Sequence, residues 1–229
     1  MEKKLAIALD VRDKNSGLEL LKELEGKELI IKIGYALFLK EGFKIIAQVK
    51  EKGFEVFLDL KLHDIPNTVY NGVLSAVEMD VDYLTLHALG GKEMLSKAVE
   101  ARGSSKLKLL AVTVLTSHTD SYMEYLGSKY SLQQLAVKLA KTSVEVGIDG
   151  IVSSPFEVKK LKNSINKEFL AVTPGIRLDK NIQDDQKRVA TPEFAIKEGA
   201  DILVIGRPIL SSKNKKETVN RILEKIENA

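Results

Sequence analysis

Apolar residues recur along this chain in two alternating rhythms. Short runs rich in β-branched and other apolar residues predict eight strands: KLAIALD (4–10), LIIKIG (29–34), EVFLDLK (55–61), YLTLHA (83–88), KLLAVTVL (108–115), GIVSS (150–154), FLAVTP (169–174) and ILVIGR (202–207). Between them, apolar residues at helical spacing predict helices over 18–24, 43–53, 68–80, 92–101, 131–147, 157–162, 192–199 and 217–228, several of them ended by glycine. Strand and helix alternate throughout, with no composition break and no low-complexity linker. Parallel strands need covering helices, and eight such pairs close a sheet on itself, so the pattern predicts an α/β fold of the (β/α)8 TIM barrel type, with residues 1–229 as a single domain. A doubly wound open sheet is the alternative, but it would carry a glycine-rich phosphate turn after its first strand. Here LAIALD runs into VRDKNSG.

Composition narrows the function classes. With 229 residues and 44% hydrophobic content, the chain has ample material for one large core. It contains no cysteine, which excludes disulfides, thiolate nucleophiles and cysteine-ligated metal sites together. The opening MEKKLAIALD has a basic pair and an apolar run too short for a signal-peptide core, ending in Asp10, and no later segment approaches a membrane span. Lys and Arg number 35 against 32 Asp and Glu, scattered rather than blocked, so the net charge of +3 suits solvated helix faces better than a nucleic-acid surface. The expectation is a cytoplasmic protein without nucleic-acid or membrane partners.

Candidate chemistry lies at the ends of the predicted strands, where a barrel of this type gathers its functional residues. Asp10 closes the first run, Lys32 lies near the end of the second, and Asp59 and Lys61 end the third. His87 closes the fourth, Thr113 and Thr116 flank the end of the fifth, Ser153 and Ser154 end the sixth, Thr173 the seventh, and Gly206 with Arg207 the eighth. The third run is the most telling. In FLDLKLHDIPNT, Asp59 and Lys61 share one strand face by simple alternation, and Asp64 follows just past the strand. Lys32 is flanked by isoleucines, and an unpaired ammonium there would cost several kcal/mol. Mutual pairing of Lys32, Asp59, Lys61 and Asp64 removes that difficulty. Asp64 alone would read as a helix N-cap before Pro66, but four charges near one barrel mouth are an expensive way to hold a fold and a good way to build a polar active site.

The stretch DLKLHDIPNT resembles the DxKxxDIPNT signature of the orotidine 5′-monophosphate decarboxylase family. The resemblance extends over essentially the whole chain: Asp10, IKIG around Lys32, HALGG (87–91), AVTVLTS (111–117), VTPGIR (172–177), DQKR (185–188) and VIGRP (204–208) fall in the family's order. It implies decarboxylation of orotidine 5′-monophosphate to uridine 5′-monophosphate in pyrimidine nucleotide synthesis, with no cofactor and no metal. Loss of CO₂ leaves a localised carbanion at C6 of the ring, which only a nearby cation can stabilise. The resemblance makes Lys61 that cation and the proton donor, with Asp59 beside the departing carboxylate and Lys32 and Asp64 fixing the ammonium. It places Asp10 and Lys32 at the ribose hydroxyls, Thr116 at the pyrimidine edge, and Arg177, Gln186, Gly206 and Arg207 around the 5′-phosphate. It also implies a homodimer with shared sites, in which Asp64, Ile65 and Thr68 reach into the neighbour.

Two alternatives are kept in view. Metal-dependent decarboxylases and aldolases of sugar phosphates share the Asp-x-Lys-x-x-Asp skeleton, but they resemble one another in an acid at the end of the second strand, where this chain has Lys32. A barrel that binds phosphorylated nucleotides without turnover would have no use for Lys61 and its carboxylates. Of the remaining features, RLDKNIQDDQKR (177–188) reads as a lid over the phosphate. His63 is read as structural rather than catalytic, His87 as no triad member, His118 as a loop residue, and Gly90 with Gly91 as a turn.

Overall fold

The computed structural model describes residues 3–11, 13–178 and 189–229. Eight parallel strands form a closed barrel: β1 (Lys4–Ala8), β2 (Ile30–Gly34), β3 (Glu55–Leu62), β4 (Tyr83–His87), β5 (Lys108–Val112), β6 (Gly150–Val152), β7 (Leu170–Thr173) and β8 (Ile202–Ile205). Each strand pairs with the next in sequence, and β8 returns to β1 with Ala6 opposite Val204. The open-sheet alternative is thereby set aside.

Among the described residues the helices, in chain order, are α1 (Lys14–Glu23), α2 (Tyr35–Glu41), α3 (Phe43–Glu51), α4 (Pro66–Glu78), α5 (Gly91–Arg102), α6 (Asp120–Tyr125), α7 (Leu132–Glu145), α8 (Pro155–Ser164), α9 (Pro192–Lys197), α10 (Arg207–Leu210) and α11 (Lys215–Glu227). Eight of them answer to the eight helical stretches in the sequence; α2, α6 and α10 are additional, as is a 3₁₀ turn at Ala88–Gly90. Caps explain several starts. Ser131 and Gln134 form a reciprocal capping box before α7. The side chain of Asp13 accepts from the Ser16 N–H and begins α1 four residues before its apolar rhythm starts at Leu18.

The strands are buried on both faces, which is why they read as nearly continuous apolar runs. Inside the barrel, Ala6, Ala8, Ile30, Phe57, Tyr83, Leu110, Val172, Ile202 and Val204 pack together. Their neighbours in sequence, such as Leu5, Ile7, Ile31, Ile33, Val56 and Leu58, join the larger core beneath the helices.

A recurring carboxylate device closes the N-terminal end. Asp82, Asp149 and Asp201 each immediately precede an even-numbered strand, and each accepts a backbone N–H from the odd-numbered strand before it: Val56 at 2.7 Å, Leu109 at 2.9 Å and Ala171 at 2.9 Å. Each also holds a cation, Lys50 at 3.0 Å, Arg102 at 2.5 Å and Lys162 at 2.8 Å respectively, while Asp201 adds Lys3 at 2.8 Å. Asp201 is 3% exposed. Burial alone would push its carboxyl up, but the Ala171 N–H and the two ammonium groups hold it below its ordinary value. Its contribution to stability is therefore present at neutral pH and is lost only as acid takes the pH below the ordinary carboxylate range.

Removing this carboxylate orphans a backbone donor and two lysines at once. Asp201→Ala is expected to cost about 2–4 kcal/mol and to lower Tm by roughly 5–15 °C for a chain of this size. Catalysis per folded molecule should be unchanged, because Asp201 sits at the end of the barrel opposite the mouth. Thermal melting alongside specific activity checks both halves.

Candidate active site

At the C-terminal mouth, the inward-facing side chains turn from apolar to polar in a single step. Alternation carries Ile30 to Lys32 on β2, Phe57 to Asp59 on β3 and Tyr83 to Thr85 on β4, and Asp10 follows Ala8 just past β1. Ala8, Phe57, Val112, Val152 and Val204 give apolar lining to a cavity of about 250 Å³. Its walls include Asp10, Lys32, Asp59, Lys61, Thr116, Arg177, Gly206 and Arg207, all eight of them sites named from the sequence.

Four of these make a chain of alternating charge. The Lys32 Nζ lies 3.2 Å from Asp10 Oδ1 and 3.4 Å from Asp59 Oδ2, and the Lys61 Nζ lies 2.8 Å from Asp59 Oδ1. Asp59 also accepts from the Thr85 hydroxyl at 2.9 Å. Burial would push the Asp59 carboxyl up, but the two ammonium groups and the hydrogen bonds from Lys61 and Thr85 outweigh it, so its titration falls below the ordinary value. Asp59 is a carboxylate at neutral pH. The lysines differ in access: the Lys32 side chain is 10% exposed and braced between two carboxylates, whereas that of Lys61 is 28% exposed and faces the cavity.

Within one copy of the protein the fourth member of this chain is Asp10, and Asp64 does not join it. Asp64 is exposed, its carboxylate accepts from the following Ile65 N–H at 2.6 Å, and among the described residues it makes no ion pair. It lies past the end of β3, where alternation no longer aims side chains into the barrel. Nor is it the helix cap: that position belongs to Ile65, with Pro66 opening α4. Asp64, Ile65 and Thr68 are all exposed and none lines the cavity of this single chain. Gln186 lies outside the described residues, as do residues 179–188 of the expected lid.

Asp59 and Lys61 do meet, though not by simple alternation. Between the pairs Leu58–Leu84 and Leu62–Leu86, β3 advances four residues while β4 advances two, so two extra residues bulge from β3. Lys61 stands in this bulge at φ +46°, one of only two non-glycine residues with positive φ among those described. The Tyr35 hydroxyl at the start of α2 donates to the Leu60 carbonyl and supports the same segment. Neither Thr85 nor Tyr35 was singled out by charge or motif; the signal available for Thr85 was a polar residue at an inward position of YLTLHA.

Alternation also removes several expected members from the ring. Thr113 and Thr173 are fully buried, follow the inward-facing Val112 and Val172, and do not line the cavity; Ser154 is buried without lining it as well. His87 does not line it either. Its ring stacks on His63 at 5.3 Å, and burial, with help from His63, Lys61 and His118, pushes its titration down to about 4, so it is neutral at pH 7. His118 stacks on Tyr122. At the end of β8 Gly206 leaves little room for a side chain, since a Cβ there would crowd the Ala8 Cβ at 3.1 Å. Arg177 is 5% exposed, and its guanidinium donates to the Ile176 carbonyl.

A family model described as "Orotidine 5'-phosphate decarboxylase / HUMPS family" matches residues 3–222. The chain belongs to that family. Among similar members, the orotidine 5'-phosphate decarboxylase of Carboxydothermus hydrogenoformans is 43% identical over 234 residues, covering 99% of this chain and 97% of that protein. The enzyme of the same name from Aquifex aeolicus is 44% identical over 227 residues, covering 96% and 97%. The crystal structure of orotidine 5'-phosphate decarboxylase from Lactobacillus acidophilus superposes with a TM-score of 0.87 at 35% identity, covering 100% of both chains. This family membership accords with the order of motifs in the sequence and with the closed barrel.

Proposed function

We propose that this chain decarboxylates orotidine 5′-monophosphate to uridine 5′-monophosphate without a cofactor, and that Lys61 is both the stabilising cation and the proton donor. The observation that carries this reading is the charge chain in the mouth, in which Asp59, itself anchored by buried Lys32, presents the Lys61 ammonium to the cavity at 2.8 Å. In the step itself the C6–carboxylate bond breaks, CO₂ leaves, and the electron pair stays on C6. Lys61 stabilises that pair and delivers a proton to it, then regains its proton from solvent. A preorganised cation acts on charge developing in the transition state, which is where electrostatic catalysis is strongest.

The binding roles follow the same resemblance. Asp10 and Lys32 take the ribose hydroxyls, Thr116 the pyrimidine edge, and Arg177, Gly206, Arg207 and Gln186 the 5′-phosphate. Phosphate at the loops after the seventh and eighth strands is the common arrangement in this barrel type. Arg177, Gly206 and Arg207 line the cavity on that side.

The working unit in this reading is a cytoplasmic homodimer. Tyr35, Leu39, Phe43 and Ile65, on adjacent connections after β2 and β3, are 51%, 80%, 56% and 68% exposed, an apolar grouping that suits a partner surface. Asp64 and Thr68 stand exposed beside it, in position to complete a neighbour's site. Among the described residues no helix is long and apolar enough to cross a membrane.

The metal-dependent branch is disfavoured by the donor set. Lys32 places an ammonium between Asp10 and Asp59, the carboxylates a divalent ion would need, and among the described residues no three metal-ligating side chains converge. The test is the loss of orotate absorbance on incubation with orotidine 5′-monophosphate after exhaustive chelation. Turnover equal to that of the untreated protein is expected. Loss restored by Mg²⁺ would promote the metal-dependent branch, and tight nucleotide binding with no turnover would favour the non-catalytic barrel.

A further inference from the structure

The bulge in β3 raises a problem that the four charges do not solve. It puts Lys61, an L-residue with a long side chain, into the left-handed backbone region at φ +46°, a conformation disfavoured outside glycine. It also takes the Lys61 N–H out of the β3–β4 ladder, whose pairing skips from Leu58 to Leu62. A half-buried donor without a partner and a disfavoured backbone would both tend to release this segment. Any such release would swing the ammonium away from Asp59.

One side chain answers both demands. The Thr85 Oγ1 accepts from the Lys61 N–H at 2.8 Å and donates its single proton to Asp59 Oδ1 at 2.9 Å. That same carboxylate oxygen receives the Lys61 ammonium at 2.8 Å. The hydroxyl thus joins the two ends of the segment, the backbone that carries Lys61 and the carboxylate that aims it. Thr85 is itself fixed: it is 1% exposed, β-branched, and paired with Leu110 in the intact β4–β5 ladder. It does not line the cavity, so it has no contact with the reacting ring.

We infer that Thr85 is a positioning residue for the decarboxylation, a latch that holds the Lys61 backbone in its left-handed bulge and the Asp59 carboxylate in register with the Lys61 ammonium. The inference rests on the function proposed above. It predicts that the hydroxyl governs the rate of the chemical step rather than nucleotide capture, because what it controls is the placement of a group that acts mainly in the transition state.

The test compares Thr85→Val, which keeps the branched shape and removes the hydroxyl, with Thr85→Ser, which keeps the hydroxyl. Misplacement of the ammonium on the ångström scale should lower the kcat of Thr85→Val by about 10–10²-fold. Affinity for uridine 5′-monophosphate should stay within about threefold of the parent, and Thr85→Ser should recover kcat to within a similar margin. Thr85→Ala takes the place of the valine variant if the latter does not fold, with melting curves confirming that the proteins compared are folded. A folded hydroxyl-free variant with parental kcat overturns the inference. So does one that loses kcat and nucleotide affinity in equal proportion, the pattern of a residue that only supports the fold. Failure of the parent itself to turn over orotidine 5′-monophosphate would instead reject the function, and the ratio between variant and parent keeps the two outcomes apart.

Discussion

Lys61→Ala is expected to leave the barrel folded and still able to bind uridine 5′-monophosphate, while turnover of orotidine 5′-monophosphate falls on the order of 10⁴-fold or more. The size follows from two losses at one atom. In the proposed mechanism the ammonium is both the cation that stabilises the developing carbanion and the source of the proton that quenches it. Binding should suffer less, because a group that acts on charge present only in the transition state contributes little to holding the product. Stability should also change little: the Lys61 side chain is 28% exposed, and Asp59 keeps Lys32 at 3.4 Å and the Thr85 hydroxyl at 2.9 Å. Steady-state kinetics with a ligand titration on the same preparation decide the matter. A variant within tenfold of the parent, the smallest gap attributable to a lost chemical role, would remove Lys61 from the mechanism.

The same variant probes the shared site. Among the described residues Asp64 has no ionic partner, and it stands outside the cavity, so the proposed role for it requires a neighbour. Mixing inactive Lys61→Ala chains with inactive Asp64→Ala chains should then restore activity, since one site of each mixed dimer would combine an intact Lys61 with an intact partner Asp64. Mixed dimers that form but stay inactive would place Asp64 elsewhere in the scheme.

The strands were legible because both of their faces are buried, leaving runs of apolar residues that few other structures produce. Their ends were less so. KLLAVTVL predicts a strand through 115 and GIVSS one through 154, yet β5 stops at Val112 and β6 at Val152, since Thr113, Val114, Ser153 and Ser154 are buried without staying in the ladder. Helices α2 and α6 escape detection because each is short and fully buries only one residue, Leu37 and Met123, which leaves no apolar period to read.

In the site, Lys32, Asp59 and Lys61 were legible as charges inside apolar strands, where burial would be prohibitive without a purpose. Asp64 differs from them: it lies past the end of β3, where strand alternation no longer aims it at the other charges of its own chain. Thr85 was hidden for a different reason. Threonine is an ordinary strand residue, and its importance depends on a register slip between β3 and β4 that nothing local in DLKLH announces. The sequence also suggested alternation as the cause of the Asp59–Lys61 contact, whereas the structure achieves it through a bulge and a left-handed residue.

Arg207→Ala tests the remote end of the substrate. A phosphate dianion seated after β7 and β8 lies away from the ring carbon that reacts, so it can aid the chemistry only if its binding energy is used to hold the ring against Lys61. Arg207 is exposed at the cavity wall, where a guanidinium can meet an anion with charge-assisted hydrogen bonds. Its loss is expected to lower kcat/KM for orotidine 5′-monophosphate by about 10²-fold, the value of one such charged contact. Orotidine without the phosphate should be a very poor substrate for the parent, with free phosphite dianion partly restoring its turnover, and Arg207→Ala should blunt that rescue. If Arg207 serves only as an ion pair on the barrel rim, its removal should instead lower Tm and leave the steady-state constants nearly untouched. Parental kcat/KM together with undiminished phosphite rescue would move the phosphate seat away from the end of β8, toward Arg177, which is buried in the wall of the same cavity.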